Sequence, residues 1–517
     1  MTSNLFNLNE HIFTTGHDVV NPNKTILNPE HYTVKTLKGR DEIIGSSSIS
    51  FNLGVSVEVA AEAIGQGSNP VNSAEFRTKS KLNIDGIINK GNIYTNRGRD
   101  VVSGTATAQI TAIAQTVSEA IAIANTVDAT AVANSLASVE IAAVANGIQN
   151  SGKVSTGGGS DTIVGEAIAS VAAVATATID VTAIVSAVAQ NPMSDGLRAV
   201  ALGFATSLAQ AKVVATGINN TGGEIKTGSG ADNISATANS YSATYAEAEL
   251  SAVSIADPEN QALALTVVEA IAQTEDVAIA IGNKHGDINT GYGADAIEAT
   301  ANASDKAIAI YNKHGNIRTG YGADTITAIA SGSQSYGIYG GDIRTGYGAD
   351  RLEARTTGRQ YKENYECEKN TVEGVDSIAY ISYLSISIGI KDCDIRTGYG
   401  ADTIIAVATE SESYGIYDSD IRTGYGADKI IASNFGGGVN IKTGYGKDYV
   451  EGFGEAKING GEDFDTLNLG SHNRDDFNIY ANNDFTVFEL GSTTMITSEF
   501  EKYIFADGDY SSHNLIV

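Results

Sequence analysis

One acidic residue type recurs in one fixed setting along this chain. The hexapeptide Thr-Gly-Tyr-Gly-Ala-Asp occurs unchanged at 290–295, 319–324, 345–350, 397–402 and 423–428. TGGGSD (156–161), TGSGAD (227–232) and TGYGKD (443–448) are near copies, and TLKGRD (36–41) and TNRGRD (95–100) are weaker relatives. Thr-x-x-Gly-x-Asp is common to all ten, which places aspartates at 41, 100, 161, 232, 295, 324, 350, 402, 428 and 448. Carboxylates stacked one per repeat, about 4.8 Å apart, repel by about 3–4 kcal/mol per neighbour at an effective dielectric near 20. A cation held between them removes that cost. Other chemistries find less support. The seven histidines form no HExxH, and the chain has neither GxSxG nor a phosphate-binding glycine loop. His285 and His314 occupy equivalent places in two copies of Asn-Lys-His-Gly. A stacked imidazole pair could take a transition metal, but a repeated turn residue is the simpler reading.

The elements that must carry these aspartates follow from their spacing. The motif aspartates are separated by 59, 61, 71, 63, 29, 26, 52, 26 and 20 residues. The basic unit is therefore about 26 residues, and the interval of 52 reads as two units with one turn lost. Each unit holds three short alternating segments separated by glycine turns, which is one coil of a β-solenoid. The expected fold is all-β: a parallel β-helix, or β-solenoid, of about 26-residue coils. In Asp342-Ile-Arg-Thr-Gly346 the isoleucine points inward while Asp342 and Arg344 share the outer face, as do Asp394 with Arg396 and Asp420 with Arg422. Those acid–base rows serve register. Tyr292, Tyr321, Tyr347, Tyr399, Tyr425 and Tyr445 share one motif position and are expected to stack outward, shielding backbone or meeting a sugar or mineral surface.

The longer N-terminal units are rich in alanine, which alone would suggest helix. From Ala167 to Ala189, however, every odd position is apolar while Ser170, Thr176, Thr178, Asp180, Thr182 and Ser186 fall on even ones. Period two means strands. Each long unit thus reads as a coil plus a protruding β-hairpin arm, with Asn69-Pro70, Asn191-Pro192 and Asp257-Pro258 as turn initiators. Alanine on one face lets two such sheets approach closely as a thin blade; helical hairpins are the competing reading. The chain divides into an N-terminal cap (1–35), coils with long arms (36–289), regular coils (290–442), two nonapeptide turns (443–468) and a C-terminal cap (469–517) that brings Phe477, Ile479, Tyr480, Phe485, Val487, Phe488 and Leu490.

Composition narrows the function classes. With 33 Lys+Arg against 61 Asp+Glu the formal charge is −28, which disfavours nucleic acid and anionic membrane as partners and favours cations. There is no Trp, only 5 Pro and 3 Met, beside 56 Gly, which suits a periodic scaffold better than an ordinary enzyme. The start has no Sec-type signal and no run is long enough for a membrane helix. Cys367 and Cys393 can make one disulfide or none.

Thr345-Gly-Tyr-Gly-Ala-Asp-Arg-Leu-Glu353, Thr397-Gly-Tyr-Gly-Ala-Asp-Thr-Ile-Ile405, Thr443-Gly-Tyr-Gly-Lys-Asp-Tyr-Val-Glu451 and Gly460-Gly-Glu-Asp-Phe-Asp-Thr-Leu-Asn468 resemble the hemolysin-type, or RTX, calcium-binding nonapeptide Gly-Gly-x-Gly-x-Asp-x-(aliphatic)-x. The ending, with Asp509 and the apolar Leu515-Ile516-Val517, is similar to an uncleaved type I secretion signal. The resemblance covers the motif turns and the last 75 or so residues, not the arms. It implies a secreted or cell-surface protein whose turns bind Ca²⁺ through Asp232, Asp295, Asp324, Asp350, Asp402, Asp428, Asp448, Asp463 and Asp465 with Gly444, Gly446 and Gly460. Two features depart from the family pattern: threonine replaces the first glycine in every copy but the one at 460, and each coil carries one motif turn. The alternative for the motif is a tight turn in which Asp bonds local backbone N–H groups while Arg318, Arg344, Arg396 and Arg422 offset its charge. The expected role is structural or adhesive, with calcium and extracellular polysaccharide or the chain itself as partners. The alternative is a carbohydrate-active β-helix enzyme, a polysaccharide lyase or epimerase, using the charged insertion Arg355–Lys369 with Arg359, Tyr361, Lys362 and Tyr365.

Overall fold

The computed structural model describes residues 5–64, 70–124, 128–185, 198–256, 261–358, 386–409, 413–482 and 484–515. The chain winds as a parallel β-solenoid whose strands build two sheets. One coil illustrates the rule. Strand Lys306–Tyr311 lies in the first sheet, the chain turns a corner at Asn312–Gly315, and strand Asn316–Tyr321 continues in the same sheet. The motif turn then hands the chain to strand Thr325–Gly332 of the second sheet. Each segment pairs in parallel, in register, with its counterpart one coil away.

That register stacks like on like. Ile288, Ile317, Ile343, Ile395, Ile421 and Ile441 form one buried row in the first sheet. Ile297, Ile326, Leu352, Ile404, Ile430 and Val450 face them from the second. Each fully buried branched side chain contributes about 1.5–3 kcal/mol, and a one-residue slip would turn every one of them outward.

The interval of 52 residues is one coil, not two. Strand Gln334–Tyr347 pairs directly with Ile386–Tyr399, Arg351–Gly358 pairs with Thr403–Ala408, and the Asp350 amide donates to Asp402. The added length is an insertion between two strands of a single coil. Most of the charged segment 355–369 falls there, with Cys367, outside the described residues.

Eight long strands make the arms: β1 (Glu42–Ile64), β2 (Val71–Asn89), β3 (Val101–Ala124), β4 (Ala129–Asn150), β5 (Thr162–Val185), β6 (Arg198–Asn219), β7 (Asn233–Ala256) and β8 (Gln261–Gly282). The strand reading holds over the helical one. Burial alternates residue by residue through β3 and β4, with alanine at most buried positions. The two strands of an arm do not pair with each other as in a ladder-forming hairpin. β1, β3, β5 and β7 stack in parallel in the second sheet, and β2, β4, β6 and β8 do so in the first. The arms are thus a two-layer blade that extends both solenoid sheets. Its layers lie close: the Ser207 hydroxyl of β6 donates to the Ala175 carbonyl of β5 (2.5 Å), and the Ser135 hydroxyl of β4 to that of Thr116 on β3 (2.8 Å). A serine cannot span the roughly 10 Å of ordinary sheet packing; alanine interiors allow the approach.

At the C-terminal end, antiparallel strands Asn478–Ala481, Thr486–Leu490 and Thr493–Ser498 follow the last coils. Phe477, Phe488, Phe500, Tyr503 and Phe505 are buried there, while Tyr480 and Phe485 are exposed. Bulky aromatics close the core where no further coil can cover it.

Candidate functional site: the motif column

The motif turns stack into one column. Every motif aspartate is buried, and its Oδ1 accepts a hydrogen bond from the backbone amide of the aspartate one coil before it. The bonds run Asp41 to Asp100, Asp100 to Asp161, Asp161 to Asp232 and Asp232 to Asp295, at 2.8–2.9 Å. They continue Asp295 to Asp324, Asp324 to Asp350, Asp350 to Asp402, Asp402 to Asp428 and Asp428 to Asp448, at the same lengths. Asp465, from the second nonapeptide, is the next rung, accepting from Asp448 (2.8 Å). Glu501 closes the column by accepting from the Asp465 amide (2.7 Å), and the Asp18 amide opens it on Asp41 (3.0 Å). The turn therefore bonds a neighbouring coil, not its own local amides.

The second oxygen of each carboxyl is different. Oδ2 of all eleven column aspartates, Asp41 through Asp465, is buried without a hydrogen-bond partner. Burial raises the carboxyl above its ordinary range at Asp232, Asp295, Asp324, Asp402 and Asp448, partly offset by the amide and by the threonine five residues earlier. It reaches about 6 at Asp161, Asp350 and Asp428. At Asp465 burial, joined by the charges of Asp448, Glu501 and Asp463, takes it to about 7. Eleven buried carboxyls, each with a bare oxygen, call for neutralisation by a proton or by a cation.

The threonine at the first motif position has a job that glycine could not do. Its hydroxyl donates to the carbonyl of the threonine one coil on, as from Thr290 to Thr319 and from Thr319 to Thr345 (3.0 Å each). Thr443 makes the same bond to the Gly460 carbonyl, where the threonine series ends. The glycines are needed for closeness and for handedness. Gly322 has φ +138°, and a Cβ there would fall 1.6 Å from the Gly293 carbonyl oxygen. Gly444 and Gly446 occupy the corresponding places in the last regular turn, and a Cβ on Gly460 would meet the Glu499 carbonyl and Asp465 Oδ2. Asp463 is exposed and stands off the column.

The other sequence candidates separate cleanly. Tyr292, Tyr321, Tyr347, Tyr399, Tyr425 and Tyr445 form one stack, with centroids 4.7–5.0 Å apart and planes within 6°. About half of each ring is exposed (46–63%), so the stack presents its edges and hydroxyls to solvent. The arginines do not reach the motif aspartates. Arg344 and Arg396 pair within their own coil with Asp342 and Asp394, and Arg422 crosses to Asp394 (3.2 Å). His285 and His314 stack at 5.1 Å, each at positive φ (54° and 56°) in the corner, which gives them a turn role. The Cys393 thiol is buried, donates to the Lys391 carbonyl (3.1 Å) and is pushed up to about 12 by burial. Of the proposed enzymatic insertion, Arg355 pairs with Glu353, while Arg359, Tyr361, Lys362 and Tyr365 lie outside the described residues.

A second buried column escaped the sequence reading. Asn28, Asn89, Asn150, Asn220, Asn283 and Asn312 sit at the corner between the two segments of the first sheet. Each side-chain amide donates to the side-chain carbonyl of the next asparagine, at 2.6–2.7 Å. The signal was present as Asn followed within three residues by Gly, in Asn89-Lys-Gly91, Asn150-Ser-Gly152 and Asn283-Lys-His-Gly286. The column ends where Gly340 and Gly341 follow Tyr339 in place of an asparagine.

Comparison with family models, with curated proteins and with solved structures finds no match, so the functional reading rests on this geometry.

Proposed function

We propose that this chain is a non-enzymatic, calcium-stabilised β-solenoid that acts outside the cell as a structural or adhesive element. The observation that carries the reading is the motif column, with one unpartnered, buried carboxylate oxygen in every coil. The donor set is all hard oxygen, which suits Ca²⁺, and the likeness of the turns to RTX nonapeptides points the same way. Bound Ca²⁺ would supply positive charge to the Oδ2 atoms of Asp232, Asp295, Asp324, Asp350, Asp402, Asp428, Asp448 and Asp465, with the turn carbonyls of Gly444, Gly446 and Gly460 as further donors.

What the chain itself does follows from its hydrogen bonds. Asp Oδ1 ties each coil to the one before it, the motif threonine ties it to the one after, and as far as Asn312 the asparagines fix the far corner. Winding brings the carboxyls together, so folding and neutralisation are coupled. The extracellular part of the proposal is supported by the likeness of the motif turns to RTX nonapeptides and by a net charge of −28. The adhesive part is supported by the half-exposed tyrosine stack.

The test is a Ca²⁺ titration of the full chain in chelator, followed by far-UV circular dichroism and sedimentation, with Mg²⁺ as control. Ca²⁺-specific gain of β signal and compaction is the expected result. A chain already fully wound in chelator at pH 8, binding no Ca²⁺, would remove calcium from the account.

A further inference from the structure

The blade stops abruptly on both sides. β7 pairs with the following coil only through Asn233–Asn239, and β8 only through Val277–Gly282. From 240 to 256 and from 261 to 276 neither strand has a ladder partner on its far edge among the described residues. On the opposite side, β1 meets the preceding coil at Glu42 and Ile43, and β2 at Ile87–Asn89. Both layers are thus left open over matched lengths at both edges. The β7/β8 edge is also apolar: Tyr241, Tyr245, Leu250, Ile255, Leu265 and Val267 are 46–60% exposed. Long, flat, apolar open strands are where another sheet adds.

We propose that the β7/β8 edge of one molecule receives the β1/β2 edge of a second copy. A two-layer opening with the close spacing set by alanine interiors is matched by the same chain's own opposite edge. Contact there continues the parallel ladder already made between β1 and β3, β3 and β5, and β5 and β7. The second copy cannot arrive in the orientation of the internal stack, because the coils from Asp287 onward already occupy the place its own solenoid would need. Rotating it half a turn about the stacking axis carries its solenoid to the tip end of the blade and exchanges the layers. Its β2 then runs parallel to β7, and its β1 parallel to β8.

Charge selects this arrangement. Centring residues 71–86 of the second copy on 240–256 sets Arg77 and Lys79 beside Glu247 and Glu249. All four stand at odd positions, on the outward faces of their strands. Lys79 already bonds Glu140 on its inner side (2.5 Å), so it would bridge two acids. The competing two-fold contact, β7 against β7 antiparallel, centres Glu247 opposite Glu249 and is repelled.

The experiment is sedimentation velocity on the full chain with Ca²⁺ present, comparing wild type with the double variants R77E/K79E and E247K/E249K. Each variant is checked for wild-type circular dichroism. Because every copy added keeps one β1/β2 edge and one β7/β8 edge open, wild type is expected to associate head to tail into a concentration-dependent series of dimers and higher oligomers, and each variant alone to lose at least tenfold in association affinity. An equal mixture of the two is expected to recover association, because one supplies an intact β7 and the other an intact β2. A carbodiimide cross-link between Lys79 and Glu249 in wild type gives a check that needs no variant. A wild-type monomer with edge amides protected from hydrogen exchange would overturn the proposal in favour of cover by another segment of the same chain. Association indifferent to R77E/K79E, or no recovery on mixing folded variants, would overturn it as well.

Discussion

The arm-bearing coils and the narrow coils share the motif column, whereas the asparagine column ends at Asn312 in the first narrow coil, and the two regions fill the space between their sheets differently. In the narrow coils, rows of isoleucine such as Ile317 and Ile326 meet across the interior. In the blade, alanines such as Ala108, Ala169, Ala173 and Ala175 take that place, and serines bond across the gap. Buried alanine contributes far less apolar area per residue than isoleucine. The blade therefore depends on close approach and backbone pairing, whereas the solenoid proper has volume to bury. The motif turn sets the register for both, and that division of labour lets one chain vary its coil length from 17 to 71 residues without losing its alignment.

Opposite substitutions should break the two regions. Ile317→Ala opens a cavity between the sheets of a narrow coil and should cost about 2–5 kcal/mol in denaturant unfolding. Ala175→Leu forces the blade apart where Ser207 bonds the Ala175 carbonyl, and should cost about 1–3 kcal/mol or more. Equal tolerance of leucine at 175 and at a surface position would show that the layers are not in contact. Asn283→Ala removes bonds to Asn312 and from Asn220, leaving buried partners unpaired; about 1–3 kcal/mol is expected, with the loss appearing in both regions because the ladder crosses their boundary. Tyr347→Ala, on the solvent side, should change stability by less than about 1 kcal/mol. A larger effect would make the tyrosine stack a stabilising element and not a surface.

Much of this was legible because repetition amplifies it. Ten copies of Thr-x-x-Gly-x-Asp fix a turn and a spacing, and a dozen alternating steps from Ala167 to Ala189 exclude a helix. What the repeat did not reveal is which neighbour each polar group bonds. Asp324 reads as a local turn residue or a ligand, and only the stacking register shows that it accepts from the Asp295 amide. The asparagines do not stand out in the sequence because the histidine is the chemically conspicuous residue of Asn-Lys-His-Gly, although Asn283 is the buried, fully bonded member. The interval between Asp350 and Asp402 reads as two units in the sequence because an insertion of about one unit's length mimics a missing turn.

The most direct measurement of the central claim is the unfolding midpoint between pH 4 and pH 8, in chelator and in Ca²⁺. Folded carboxyls raised to about 6 at Asp161, Asp350 and Asp428 and to about 7 at Asp465 bind protons that the unfolded chain, near 3.9, has released. Their contribution is fully present below about pH 4 and is lost as pH rises through 6 to 7. In chelator the midpoint should therefore fall across that window, and Ca²⁺ should restore it at pH 8. A midpoint flat with pH and unmoved by Ca²⁺ would contradict the account.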